Sequence, residues 1–442
     1  MTPVDWRAVA LAAAERTLAR ADAGRAVACG FTGNVDRVTH LDRATLDRLL
    51  DGATNPDRCL ARPRVAVAET VDDLRCGILQ CVAAGDGTDL PVPDPAVQAW
   101  LLERAPGRTQ IGGTGAQAAV TLDRLGVATL LHLTGRSPEQ VAALGPAGRM
   151  LVSTPDGPRP PAEAADPADP TMWHPILEFA AGLAFDAGGH RHVAPAPNRV
   201  IVSHDSVNAD FAIAPGFAAA VTDPANPLAL GAVLLSGYSQ IVDPDRLAAR
   251  LAETVAVLRR WRAARPGLLL HLELGAAPDP GLLRHTLECL GPHVDSVGLN
   301  IDELAQVAGA PPPPGPEDRR DLLAAIWREH PVPRLGLHTR DGCLTLTRRD
   351  PERERDALAF ADLVAATRAR TGAFPTRADL AATLDPGFSH AGLADAERLA
   401  GPGGIAPAAG GWLVAAPAPR VPAPRASVGL GDSFTGALLA AL

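Results

Sequence analysis

The stretch with the clearest chemical content is Ser427-Val428-Gly429-Leu430-Gly431-Asp432-Ser433-Phe434-Thr435-Gly436. Two glycines and an aspartate lead into a run, 434–442, that reads as a small-residue helix. Glycine lets a backbone approach a ligand closely and adopt positive φ. A helix N-terminus offers unpaired N–H groups and partial positive charge, which suits an anion such as phosphate. Asp432 beside that cradle has a carboxylate placed to take a proton from a hydroxyl. An anion cradle and a base are what phosphoryl transfer needs. The same residues also describe an ordinary loop-to-helix junction with Asp432 or Ser433 as the cap. Taken alone, the stretch leaves both readings standing.

Further polar residues fall just after short apolar runs. Asn34 and Asp36 follow 26–31, Gly112 and Gly113 open a glycine turn, and Arg199 lies in the run 199–203. His271 and Glu273 share one face of 268–274 by alternation, and Asn300 and Glu303 follow 294–299. In an open α/β sheet, ligands bind beyond the carboxyl ends of the strands, where these groups would converge. Acidic groups recurring there suit a hydrated Mg²⁺ held by one or two carboxylates and nucleotide phosphates. Each residue also has a plainer reading. His271 reads first as a hydrogen-bonded core histidine, Asp36 as a turn cap, Arg199 as an ion-pair partner and Glu303 as part of a solvated helix face. Glu273 resists a plain reading, because a buried carboxylate must be paired or must coordinate.

The elements that must position these groups follow from periodicity. Short apolar runs at 26–31, 127–133, 199–203, 232–236, 268–274 and 294–299 read as strands, and 65–68 as a further one. Amphipathic helices are expected at 1–22, 71–83, 95–103, 116–125, 244–262, 281–290, 301–307 and 356–370, with another ending near 329. Asp341-Gly342 centres a hairpin over 335–347, and 411–415 is a last strand. Strands alternating with helices predict an α/β fold with a mostly parallel sheet covered on both faces. The Pro/Ala/Asp-rich segment 157–170 reads as a surface loop.

The chain has 442 residues, 47% hydrophobic and 21% charged, enough for a large core. Its formal charge of −9, with no basic block, argues against nucleic-acid binding. All 41 basic residues are arginine, a compositional bias and not a recognition surface. The six cysteines form no CxxC pair and read as reduced, which with the lack of an apolar leader or span points to a cytoplasmic protein with no membrane partner.

Four motifs give this list a family. His271-Leu272-Glu273 resembles an HxE motif, Asn300 to Glu303 an NxxE motif, and Val428-Gly429-Leu430-Gly431-Asp432 a GxGD motif; Asn34-Val35-Asp36 resembles a sugar-binding NxD. In that order and over nearly the whole chain, they resemble the ADP-dependent glucokinase and phosphofructokinase family of ribokinase-like proteins. The resemblance implies a ribokinase-like domain from 1–36, 111–150 and 216–442, with a smaller discontinuous lid from 37–110 and 151–215. It implies an Mg²⁺-dependent sugar kinase that uses ADP and releases AMP. Asp432 would be the base, with Gly429 and Gly431 stabilising the phosphoryl group. Asn34, Asp36, Asp89, Gly112, Gly113 and Arg199 would bind sugar. Asn300, His338, Thr339, Val428, Gly429, Leu430 and Gly431 would surround the nucleotide, and Glu273 and Glu303 would serve the metal.

The partners implied are a small sugar and a nucleotide, for a monomer or small homo-oligomer. Asp89 ends the segment that resembles the glucokinases' lid carboxylate motif, which favours an unphosphorylated, glucose-like acceptor; it also reads as a turn residue. Thr114 and Asp86 stand where the family usually has Gln and Lys. An ADP-dependent phosphofructokinase, an ATP-dependent sugar or nucleoside kinase, and a retired ligand-binding regulator are the other readings.

Overall fold

The computed structural model describes residues 4–50 and 55–442. The alternation of apolar runs and helices produces a large sheet of eleven strands among the described residues. Its parallel centre runs, in spatial order, through Arg334–His338, Ser296–Leu299, Leu269–Glu273, Ala229–Leu235, Arg25–Cys29, Ala128–Leu131 and Met150–Thr154. Antiparallel strands finish both ends: Gly342–Thr347, Gly411–Pro417 and Ile405–Ala408 on one side, Gly157–Arg159 on the other. The central strands are buried along their length, as a sheet covered on both faces requires. The hairpin expected around Asp341-Gly342 is present.

Two helices matter most to the site, Thr114–Arg124 and Leu430–Ala441. They pack together, with Thr121 Oγ1 and Ser433 Oγ 2.9 Å apart in the buried seam. Both start at the carboxyl-end edge of the large sheet, so their N-termini open on the same side.

A second sheet has five strands in the order Thr88–Pro91, Asn198–Ser203, Trp173–Phe179, Asn34–His40 and Arg108–Gly112. Its inner face carries Leu90, Leu177, Phe179, Val200 and Val202, which pack with Leu74, Ile78, Leu79 and Val82 of the helix Val71–Ala84. The other face is polar. Strand register and alternation place Asn34, Asp36, Arg108, Gln110, His174, Glu178, Arg199, Ser203 and Asp89 on it together. Ser427 Oγ, just before the glycine loop, donates to Glu178 Oε1 at 3.2 Å and ties the two sheets.

Several expectations change. Asn34 and Asp36 lie in a strand and not in an exit loop. No strand forms at 65–68: Gln80 Oε1 accepts from the Val65 N–H, and the Gln80 amide donates to the carbonyls of Cys59, Arg62 and Pro63. That one side chain satisfies backbone groups a ladder would have used. The 157–170 segment is pinned by Arg136, whose N–H donates to Asp169 Oδ2 at 2.7 Å while its carbonyl accepts from Asp166. Cys59 and Cys76 form a disulfide, against the expectation of six free thiols; Cys29, Cys81, Cys289 and Cys343 are free. The first expected helix spans Trp6–Asp22, residues 1–3 of its expected range lying outside the described residues. No described helix is long and apolar enough to cross a membrane.

Candidate active site

The glycine loop resolves the ambiguity of the sequence. The helix begins at Leu430, with Gly429 as its N-cap at φ 73°, and Asp432 lies in its first turn. No side chain caps this helix, and the first backbone return is Ser433 N–H to the Gly429 carbonyl. The N–H groups of Leu430, Gly431 and Asp432 therefore precede the helical ladder, the arrangement that binds anions. Asp432 is half-buried beside the Thr114 side chain. Burial pushes its carboxyl up from its ordinary value, partly offset by the Arg368 guanidinium and Thr114. Asp432 does not cap its helix, and its carboxylate faces the start of the second helix at Thr114.

Arg368 holds the loop in place. Its Nη1 donates to the Gly429 carbonyl at 2.9 Å and to Ser433 Oγ at 2.8 Å, and its Nη2 donates to Gln117 Oε1. Burial draws its pKa down to about 10 although Asp432 and Asp36 favour its charge. A Cβ on Gly429 would come within 1.9 Å of Gln117 Oε1 and 2.5 Å of Arg368 Nη2. Positive φ and this crowding together explain glycine there.

On the facing sheet, Asn34 Nδ2 donates to Asp36 Oδ1 at 2.6 Å and Gln110 Nε2 reaches Asp36 Oδ2 at 3.4 Å. Asp36 is 3% exposed, and burial raises its carboxyl to about 6, against the pull of His174, Gln110 and Asn34. Gly112 lies directly opposite Asn34, and a Cβ there would come within 2.2 Å of both Asn34 Nδ2 and Asp36 Oδ1. Gly113, at φ 86°, caps the helix that begins at Thr114. Asp89 sits at the accessible edge in a strand and not in a turn; Ser203 Oγ donates to it at 2.8 Å. Burial of the carboxyl, with Asp205 nearby, raises it from its ordinary value, against His174 and Ser203. Asp86, by contrast, is exposed and pairs with Arg64 at 2.7 Å, away from this face. Arg199 is half-buried opposite Glu178 in the register and forms no ion pair among the described residues.

His174 is the residue that sequence reasoning missed. It pairs with Asp36 in the register, and its Nε2 lies 2.9 Å from Asp205 Oδ2. Burial opposes its charge, but Asp205, Asp36 and Asp89 raise it to about 9, so it is an imidazolium among three carboxylates at neutral pH. A sheet face that gathers acids around one cation is suited to a polyhydroxylated ligand that needs both donors and acceptors.

The third wall is a buried chain of polar groups. His338 Nε2 and His271 Nε2 each lie 2.9 Å from a Glu273 oxygen. His271 Nδ1 is 2.8 Å from Ser296 Oγ, which accepts from Arg334, itself paired with Glu354 at 2.7 Å. Burial opposes ionisation of Glu273, but the two imidazoles hold its carboxyl down at about 2. His271 thus has the structural role expected of it. His338 packs on Phe434 and lies against Gly431, joining this wall to the glycine loop. Thr339 closes a turn by donating to the Gly342 carbonyl at 2.7 Å and lines a surface groove with Leu337, Asp341 and Ala416.

Asn300 and Glu303 form a reciprocal helix cap. Asn300 Oδ1 accepts from the Glu303 N–H at 3.0 Å, and Glu303 accepts from the Asn300 N–H and Nδ2 at 2.8 Å each. Glu303 is buried, not on a solvated face. Burial and the nearby Glu273 push its carboxyl to about 8. Each oxygen has one donor and keeps a lone pair, and an all-oxygen donor set suits Mg²⁺. No cluster of three or more metal-ligating side chains occurs among the described residues. Mg²⁺ does not demand one, since it takes most of its ligands from water and phosphate. Glu273, with both oxygens engaged by histidines, fits a supporting place better than a ligand's.

Three comparisons match this architecture. The family described as "ADP-specific Phosphofructokinase/Glucokinase conserved region" matches residues 25–441. An ADP-specific phosphofructokinase of Methanosarcina acetivorans is 24% identical, over 93% of this chain and 92% of that protein. An ADP-dependent glucose/glucosamine kinase of Pyrococcus furiosus is also 24% identical, over 97% of both. Among solved structures, a last common ancestor of ADP-dependent phosphofructokinases from Methanosarcinales superposes with TM-score 0.79 at 20% identity, covering 99% of this chain and 98% of that one. An ADP-dependent kinase in complex with fructose-6-phosphate and ADPbetaS superposes with TM-score 0.84 at 19% identity, covering 100% and 98%. At these identities the structural likeness establishes the fold.

Proposed function

Since the chain belongs to the ADP-specific phosphofructokinase/glucokinase family, we propose that it transfers the β-phosphoryl group of ADP to a hydroxyl of a glucose-like hexose and releases AMP. The observation that carries this reading is the placement of Asp432: a carboxylate that caps nothing, lying between two helix N-termini and close enough to Asp36 for its charge to be felt there. Asn34, Asp36, Asp89 and His174 hold the acceptor hydroxyls, and Gly112 leaves room for the ring. Asp432 takes the proton of the attacking hydroxyl as the oxygen bonds to phosphorus and the bond to AMP breaks. The first-turn N–H groups at Gly429 to Asp432 receive the charge that develops on the phosphoryl oxygens. Asn300, His338 and Thr339 border the nucleotide side, and the five-stranded sheet is the lid that excludes water.

Glu303 would hold Mg²⁺, directly or through water, with Glu273 behind it; bound there, the ion supplies charge neutralisation at the phosphates. Glu303→Gln is expected to raise the Mg²⁺ concentration needed for half-maximal rate by roughly tenfold, the scale of one lost charge-assisted contact. A metal titration identical to wild type would remove Glu303 from this place.

The acids around His174 favour an unphosphorylated acceptor. Arg199 and Arg108 on the same polar face favour the second reading, fructose 6-phosphate. Rates with glucose, glucosamine and fructose 6-phosphate at fixed ADP decide between them. Glucose is expected to give the highest kcat/KM, and turnover with fructose 6-phosphate alone would overturn the glucose assignment.

A further inference from the structure

A cleft of about 260 Å³ opens beside the acceptor face, between the strand Arg108–Gly112, the end of the helix Thr114–Arg124, the turn at 143–145 and the segment before Gly429. Arg108, Arg124 and Arg368 line it, and no carboxylate does. In a chain of formal charge −9, three guanidiniums around one space without an acid among them is an unusual concentration of positive charge. None of the three forms an ion pair among the described residues, and Arg108 and Arg368 repel one another across the cleft. Arg108 and Arg124 each spend one contact on the scaffold, Arg108 Nη1 donating to Gln110 Oε1 at 2.7 Å and Arg124 Nη1 to the Pro146 carbonyl, while Arg368 spends three, on the Gly429 carbonyl, Ser433 Oγ and Gln117 Oε1. A guanidinium has five N–H donors, so each keeps others for a ligand. Phe374 lies 4.2 Å from the Arg368 guanidinium and fixes its plane.

We propose that this cleft binds a phosphate group. Planar arginine forks match phosphate oxygens in pairs, which is the strongest use of such donors. The space exceeds a free phosphate and admits a phosphate monoester. Its walls also reach the chemistry. Arg108 holds Gln110, which holds Asp36, and Arg368 holds Gly429. A bound phosphate would therefore bear on the acceptor carboxylate and the glycine loop at once. Binding stands independently of the kinase reading; its link to the acceptor rests on that reading. The phosphate has two sources, the acceptor's own ester group or a separate phosphate.

The test is calorimetric titration of the full chain with sodium phosphate at constant ionic strength, for wild type, Arg124→Gln and Arg108→Gln. One phosphate per chain is expected, with affinity lowered about tenfold or more in each variant. Kinetics then separate the sources. A rise in KM for fructose 6-phosphate in Arg124→Gln, with KM for glucose unchanged, assigns the cleft to the acceptor's phosphate. A phosphate-dependent change in KM for glucose that Arg124→Gln abolishes assigns it to a separate phosphate. Absence of saturable phosphate binding in wild type overturns the proposal, as does binding that both variants leave unchanged. Because the titration needs no turnover, an inactive kinase and an empty cleft give different results.

Discussion

Replacing Asp432 with alanine is expected to lower turnover by roughly 10²–10⁴-fold, the range for a lost general base, with KM for the acceptor changed far less. The structure makes this a clean test. Asp432 is not the N-cap, so the substitution removes no capping bond. Its stabilising charge at a helix N-terminus is worth only about 0.3–1 kcal/mol, so the variant should fold. Its neighbour Thr114 is half-buried at the start of the facing helix, within reach of water. Steady-state kinetics with a circular-dichroism check would separate the cases, and wild-type turnover in a folded variant would take Asp432 out of the base role.

Asp36→Ala is expected to raise acceptor KM by roughly 10- to 10²-fold, since a charged hydrogen-bonding partner lost to a buried hydroxyl is worth about 1.5–3 kcal/mol. Turnover of the bound sugar should fall less. Asp36 ionises near 6 in the fold, so wild-type acceptor KM should climb as pH falls through that value, and the inflection should vanish in the variant. The stability sign runs the other way. A carboxyl raised by burial binds its proton more tightly folded than unfolded, so ionising it costs stability as pH rises from its ordinary value to about 6. Asp36→Asn removes that cost while keeping an acceptor for Asn34, and should raise the melting temperature at pH 7 as it weakens sugar binding. A pH-independent KM, or an Asp36→Asn variant less stable than wild type, would contradict this account of the pocket.

What the sequence made legible follows from how each element is buried. The parallel strands are apolar throughout, so 268–274 and 294–299 could be read from hydrophobic runs alone, and they carry Glu273 and lead to Asn300. The five-stranded sheet packs apolar residues on one face and gathers polar ones on the other. Its strand Asn34–His40 carries no apolar run and little alternation close behind Gly33, so it reads as a loop. Trp173-His174-Pro175-Ile176-Leu177-Glu178-Phe179 comes nearer to alternation, with Trp173, Pro175, Leu177 and Phe179 on one face, and that pattern was the available signal for His174. Arg368 had none: it is one arginine among many, on a helix, and only the fold brings it to Gly429. Glu303 was legible as chemistry but not as structure. The spacing from Asn300 also encodes a capping box, and the cap is what draws the carboxylate out of solvent. The Cys59–Cys76 bridge depends on the packing of two helices that spacing alone does not reveal.

The central claim is that this site moves a phosphoryl group from ADP. Purified protein incubated with Mg²⁺ and hexose should convert ADP to AMP in one-to-one step with sugar phosphate, measured by chromatography of nucleotide and sugar together. ATP at the same concentration should give little sugar phosphate. Sugar phosphate formed from ATP with release of ADP, and none from ADP, would contradict the account.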